Sequence, residues 1–137
     1  MFAVAVKGIL VTPLNEVVSL INERDEWEPP GGRIEPGETP ERCVEREINE
    51  ELSLTVVVEQ LLDTHLFQAI PCNYVFIVTC GCTLTSPFVP RISNEHKQIG
   101  TFSFDRLPSN LPQGYRSSIA AWAQSNYGTE AGEPAPI

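Results

Sequence analysis

Apolar and polar positions divide the chain into alternating strand-like and helix-like segments. Phe2 to Thr12 is an apolar, β-branched run. Glu16 to Ile21 follows the turn-forming Thr12-Pro13-Leu14-Asn15, and the two runs together predict a hairpin. Thr39-Pro40 signals a helix start, because a threonine hydroxyl caps exposed backbone N–H groups and proline at the first helical position loses no needed donor. The helix is expected from Pro40 to about Leu52, with Val44, Ile48 and Leu52 on one stripe. Val56 to Ile70 and Tyr74 to Leu84 are strand-like again. In the second of these, Tyr74, Phe76, Val78, Cys80 and Cys82 alternate with Val75, Ile77 and Thr79, so both faces are nearly apolar, as a sheet covered on both sides requires. Pro87 to Glu95 reads as a loop and Gly100 to Phe104 as a short strand. Arg116 to Tyr127 reads as a closing helix with Ile119, Trp122 and Ala123 turned inward. The order predicts one α/β domain over residues 1–128, a mixed sheet between two helices, and a flexible tail over 129–137.

Composition narrows the partners. At 137 residues the chain has room for one core, and 42% hydrophobic with 20% charged residues is ordinary globular usage. A formal net charge of −9 and a pI near 4.6 repel an extended phosphate backbone, which argues against a nucleic-acid polymer. A small anion stays compatible only where metal ions screen the acidic residues. The start, Met-Phe-Ala-Val-Ala-Val-Lys, has neither the basic region nor the long apolar run of a signal peptide. No stretch is long enough to span a bilayer, so a cytoplasmic protein with no membrane partner is expected. Cysteines 43, 72, 80 and 82 lack the paired spacing of a zinc site and read as reduced structural thiols.

The chemistry is concentrated on the first helix. Glu47, Glu50 and Glu51 occupy an arc about 100° wide beside its apolar stripe. Carboxylates at this spacing repel one another by a few tenths of a kcal/mol per pair. A hard divalent cation, which takes oxygen ligands and bridges carboxylates to phosphates, reverses that sign. A solvated acidic face is the plain alternative.

The flanking residues decide against it. Gly32, five residues, Glu38, seven residues, Arg46-Glu47-Ile48, one residue, Glu50-Glu51, one residue, Ser53 and Leu54 together resemble the 23-residue box of the Nudix hydrolases. The approach Trp27-Glu28-Pro29-Pro30-Gly31-Gly32 resembles the family's usual entry to that box. One fixed position differs: Ser53 stands where the family has a glycine in a left-handed turn, at a cost of about 1 kcal/mol and without loss of a ligand.

The resemblance implies an α/β/α Nudix sandwich with a mixed β-sheet between helices. It also implies hydrolysis of a nucleoside diphosphate linked to another moiety, with Mg²⁺ or Mn²⁺ held by Glu47, Glu50, Glu51 and the carbonyl of Gly31. The general base would be Glu50 or, from the later Asn94-Glu95-His96 segment, Glu95. Glu38 and Arg46 would form a supporting ion pair, in which a planar guanidinium grips a carboxylate through two hydrogen bonds. Arg33 could reach a substrate phosphate or face solvent. Trp27 is expected to pack more than to stack on a base, and His65 and His96 are expected to be structural or exposed. The substrate is expected to be a small nucleotide, with ADP-ribose or a nucleotide sugar ahead of a nucleoside triphosphate. A non-catalytic nucleotide-binding regulator and a diphosphate isomerase on the same scaffold are the other readings. All three carboxylates are present, against the first, and the chain is short with two histidines, against the second. Many relatives dimerise, so a homodimer stays open.

Overall fold

The computed structural model describes residues 2–94 and 98–127. Among the described residues nine elements follow one another: β1 (Ala3–Leu10), β2 (Glu16–Ile21), β3 (Trp27–Glu28), β4 (Gly31–Arg33), α1 (Pro40–Leu52), β5 (Val56–Ile70), β6 (Asn73–Leu84), β7 (Ile99–Ser103) and α2 (Gln113–Tyr127). β4, β1, β6 and β5 form a mixed sheet in that order, with β1 parallel to β6 and antiparallel to β4. β3, β2 and β7 form a second, antiparallel sheet.

The expected hairpin of the first two strands is therefore corrected. The turn is real, with the Thr12 N–H donating to the Glu16 carbonyl at 2.8 Å. Beyond the single bridge between Val11 and Val17, however, β1 and β2 part into different sheets. Both are buried, and each finds a better partner later in the chain: β6 for β1 and β7 for β2.

Alternation along β1 builds a core on each face of the sheet. Val6 and Leu10 join Val44, Ile48 and Leu52 of α1, with Cys80 and Cys82 from β6. Ala5 and Ile9 join Ile77 and the α2 residues Tyr115, Ile119, Trp122 and Ala123. On α2, Tyr115, Ser118, Ile119, Trp122 and Ala123 are buried at the spacing of one helical face. The buried Thr79 and Ser118 hydroxyls share a 2.8 Å hydrogen bond that ties this helix to β6. Trp27 packs edge-on against Phe102 at 4.9 Å, which supports its packing role. All four cysteines are free. Burial pushes the Cys43 and Cys80 thiols up to about 11 and Cys82 higher still, so they stay protonated.

Helix α1 has the expected bounds. The Arg42 N–H donates to Thr39 Oγ1 at 3.2 Å, and Ser53 closes the helix at φ 57°, ψ 34°, with its N–H donating to the Asn49 carbonyl at 2.9 Å. A serine in that left-handed conformation is strained, where glycine is not. Ser53→Gly is expected to raise stability by about 1 kcal/mol with unchanged activity, measured by denaturant unfolding. An unchanged or lower midpoint would show that the turn carries no strain.

Candidate active site

The carboxylates of α1 face an open cleft formed with Ser93 and Asn94, which lines up Glu47, Glu50 and Glu51. The 87–94 loop is pinned against the end of α1, because the Arg91 and Ser93 N–H groups donate to the Leu52 and Glu51 carbonyls at 2.8 and 2.9 Å. The loop thus completes the cleft wall. Glu95, the alternative base, lies outside the described residues, as do His96, Lys97, Gly128 and the tail over 129–137.

Each carboxylate is positioned by a different contact. Glu51 is buried and accepts the Gly31 N–H at 2.8 Å. Gly31 has φ +145°, and a side chain there would strike the Val6 carbonyl at 2.1 Å, so glycine is required for β4 to lie this close to β1. Glu47 lies over Gly32, where a Cβ would sit 2.5 Å from its carboxyl carbon. Glu50 is the most exposed of the three, its side chain 59% accessible. Arg46 donates through Nη1 to Glu47 Oε1 and Glu50 Oε1, both at 3.0 Å. Among the described residues no three acidic, histidine or cysteine side chains converge as a ready-made metal cage.

Arg46 also forms the ion pair with Glu38 that the resemblance implies. Its Nε and Nη2 donate to Glu38 Oε2 and Oε1 at 2.5 and 3.1 Å, a two-point grip, and Nη2 reaches the Arg33 carbonyl at 3.3 Å. The loop before α1 is thereby tied to its acidic face. The hydrogen bonds from Arg46, with the Glu35 N–H adding to them, hold the Glu38 carboxyl down at about 2. A depressed carboxyl stabilises the fold fully above its ordinary 4.5, and that contribution is lost as pH falls through about 2. Arg46→Ala is accordingly expected to lower the melting temperature at neutral pH and to flatten the acid limb over that range, read by thermal melts against pH. Unchanged melting with only a higher substrate KM would make Arg46 a substrate ligand instead.

A second concavity lies on the other side of Gly32. It encloses about 420 Å³ and is lined by Lys7, Glu28, Arg24, Tyr115 and the apolar Phe67, Val75 and Ile77. Arg33 lines this pocket too, with an exposed side chain, and lies outside the lining of the carboxylate cleft. Lys7 is buried, and its Nζ donates to Glu28 Oε2 at 3.0 Å, while Asn22 Nδ2 donates to Glu28 Oε1 at 2.8 Å. Burial alone would lower the Lys7 pKa. Glu28, Tyr115 and Glu51 together outweigh that largest single effect and raise the pKa, so Lys7 stays charged. His65 packs edge-on against Tyr115 at 5.4 Å and burial lowers its pKa, consistent with a structural role.

The NUDIX domain family model matches residues 1–122. The chain belongs to the Nudix family. Among solved structures, this Nudix chain is similar to a MutT protein from Methanosarcina mazei Go1, with TM-score 0.78 and 19% identity over 91% of this chain and 95% of that one. It is also similar to a MutT Nudix hydrolase from Burkholderia pseudomallei, with TM-score 0.73 and 24% identity over 88% and 98%. An ADP-ribose pyrophosphatase from Streptococcus suis 89-1591 gives TM-score 0.69 and 19% identity over 91% and 92%. At these identities the likeness shows the fold. An 8-oxo-dGTP diphosphatase of Proteus vulgaris is 50% identical over 38 residues, 28% of this chain, so the match spans about a third (34%) of that curated relative. The described part of this Nudix chain has no helix long and apolar enough to cross a membrane.

Lys7 and Tyr115 were not singled out by sequence reasoning. A signal for Lys7 exists: it is the one charge inside the run Val4-Ala5-Val6-Lys7-Gly8-Ile9-Leu10-Val11, whose neighbours are nearly all buried. A buried lysine needs a partner, and only the fold reveals that Glu28 is that partner.

Proposed function

We propose that this Nudix hydrolase splits the phosphoanhydride of a nucleoside diphosphate linked to a second moiety, with Mg²⁺ or Mn²⁺, and that ADP-ribose or a related nucleotide sugar is the favoured substrate. One observation carries the reading: Gly32 both lines the 420 Å³ pocket and touches the Glu47 carboxylate. A substrate seated in the pocket would therefore pass its phosphates over Gly32 into the acidic cleft. The pocket volume suits a ligand larger than a phosphate alone.

The donor set fits a hard cation, since Glu47, Glu50, Glu51 and the Gly31 carbonyl offer oxygen only. Bound there, such an ion would neutralise the diphosphate and lower the pKa of an attacking water. The chain supplies the rest. Arg46 orients Glu47 and Glu50, the Gly31 N–H orients Glu51, and Arg33 faces the substrate side. Glu50, exposed to the cleft, takes the proton from water, with Glu95 as the alternative base. We place the protein in the cytoplasm, as a monomer or homodimer.

The reading is tested by a panel of ADP-ribose, ADP-glucose, NADH, diadenosine polyphosphates and normal and oxidised nucleoside triphosphates, with Mg²⁺ and Mn²⁺. Nucleotide sugars are expected to lead. Turnover confined to one triphosphate would favour the second reading, a triphosphate pyrophosphohydrolase, towards which the segment shared with the 8-oxo-dGTP diphosphatase points. Tight binding of one ligand with no turnover of any would make the chain a regulator.

A further inference from the structure

The pocket beyond Gly32 has a polar floor that chemistry at the diphosphate does not use. Lys7 lies on β1 on the α2 side of the sheet, nearly enclosed at 7% exposure. Its ammonium has three N–H donors. One goes to Glu28 at 3.0 Å, and a second is shared with the Gly31 carbonyl at a long 3.5 Å. The third has no acceptor among the described residues. Tyr115, on the first turn of α2, lines the same pocket at 3% exposure, and its hydroxyl makes no hydrogen bond to a described residue. Its ring is fixed by the His65 contact. Two polar groups on rigid elements, one a donor and the other both donor and acceptor, thus face a cavity whose remaining wall is Phe67, Val75 and Ile77.

The charges around them select the ligand. Lys7 is balanced by Glu28, and Arg24 by Glu23 and Glu26, while Glu23 and Glu28 also line the pocket. Of the lining cations only Arg33, next to Gly32 where the diphosphate would pass, has no ion pair among the described residues; a further phosphate placed beyond it, beside Lys7 and Arg24, would meet Glu23 and Glu28 and find both of those cations balanced. A neutral oxygen meets no such repulsion. We propose that Lys7 and Tyr115 are specificity-determining residues that jointly bind a neutral oxygen acceptor, a sugar hydroxyl or a base carbonyl, on the part of the substrate beyond the diphosphate. The inference rests on the hydrolase reading above for which end of the substrate enters the pocket. It deepens that reading by favouring substrates whose distal half is a polyol or nucleoside over those that extend in phosphates.

Calorimetry on the full chain in Mg²⁺ tests this with three probes: ribose 5-phosphate, GMP and inorganic pyrophosphate. Tyr115→Phe removes one hydroxyl and keeps the ring against His65. It is expected to weaken GMP about five- to tenfold, with pyrophosphate within twofold. Lys7→Met combined with Glu28→Gln, which leaves no charge buried alone, is expected to weaken the same probe at least about tenfold. Equal losses for ribose 5-phosphate and GMP would identify the acceptor as a sugar hydroxyl, and a loss for GMP alone would identify a base carbonyl. If both probes bind Tyr115→Phe as they bind the wild type, or if pyrophosphate weakens equally, the assignment is overturned, even where the double variant fails to fold. These are binding measurements, so they stand whether or not the panel shows turnover. Where turnover is seen, Tyr115→Phe should raise KM and spare kcat, and a fall in kcat at constant KM would also count against the proposal.

Discussion

EDTA-treated protein is expected to hydrolyse none of the panel substrates and to recover on adding Mg²⁺ or Mn²⁺. Glu50→Gln and Glu51→Gln should each lower turnover by at least about 10²-fold. The structure explains why the fold should survive both changes. Glutamine at 51 keeps a carbonyl oxygen in place of Oε1, so the 2.8 Å bond from the buried Gly31 N–H still has its acceptor. At 50 the side chain is exposed, and its one described partner, Arg46, keeps Glu38 and Glu47. Loss of activity at wild-type melting temperature would therefore report on ligation or proton transfer and not on folding. Full activity after EDTA treatment, or in both variants, would refute the mechanism.

Gly32→Ala should produce the second large loss. The new methyl carbon would lie 2.5 to 2.7 Å from the carboxyl atoms of Glu47, closer than real contacts allow. A long flexible side chain gives way more easily than backbone, and Gly32 has no left-handed conformation to lose. The expected result is a melting temperature near wild type, with activity and metal affinity reduced roughly 10- to 100-fold because Glu47 is displaced. Metal titration followed by turnover checks both. An active variant with normal metal affinity would mean that Glu47 is not needed where the structure puts it, and would remove the junction on which the proposed substrate path depends.

How much of this was legible in the sequence depends on the range of the interactions involved. The α1 bounds and its cap at Thr39 are set by residues within about two turns of each other, and periodicity and capping pattern expose them, whereas the left-handed turn at Ser53 and the pairing of Arg46 with Glu38 were legible only through the resemblance of the box. The long β5 and β6 strands were readable from local pattern as well. β3 and β4, two and three residues long in a segment rich in proline and glycine, carry no pattern of their own. They exist because β2 and β1 offer them an edge. The division into two sheets was hidden too, since β1 and β2 look alike, and only their distant partners separate them. The floor of the pocket needs Lys7, Glu28 and Tyr115 from three distant parts of the chain, so spacing could not announce it.

The way Trp122 is seated gives the protein an internal optical gauge. Its indole packs against β6 where Gly81 leaves room, with ring atoms 2.3 to 2.6 Å from where a Cβ would be, and it is 2% exposed. Trp27 is half-buried in the other sheet, beside Phe102. The two indoles should therefore emit at different wavelengths, the blue component belonging to the docked α2 helix. A red shift of that component alone would signal that this helix, and Tyr115 with it, has left the sheet while the acidic face of α1 is still in place.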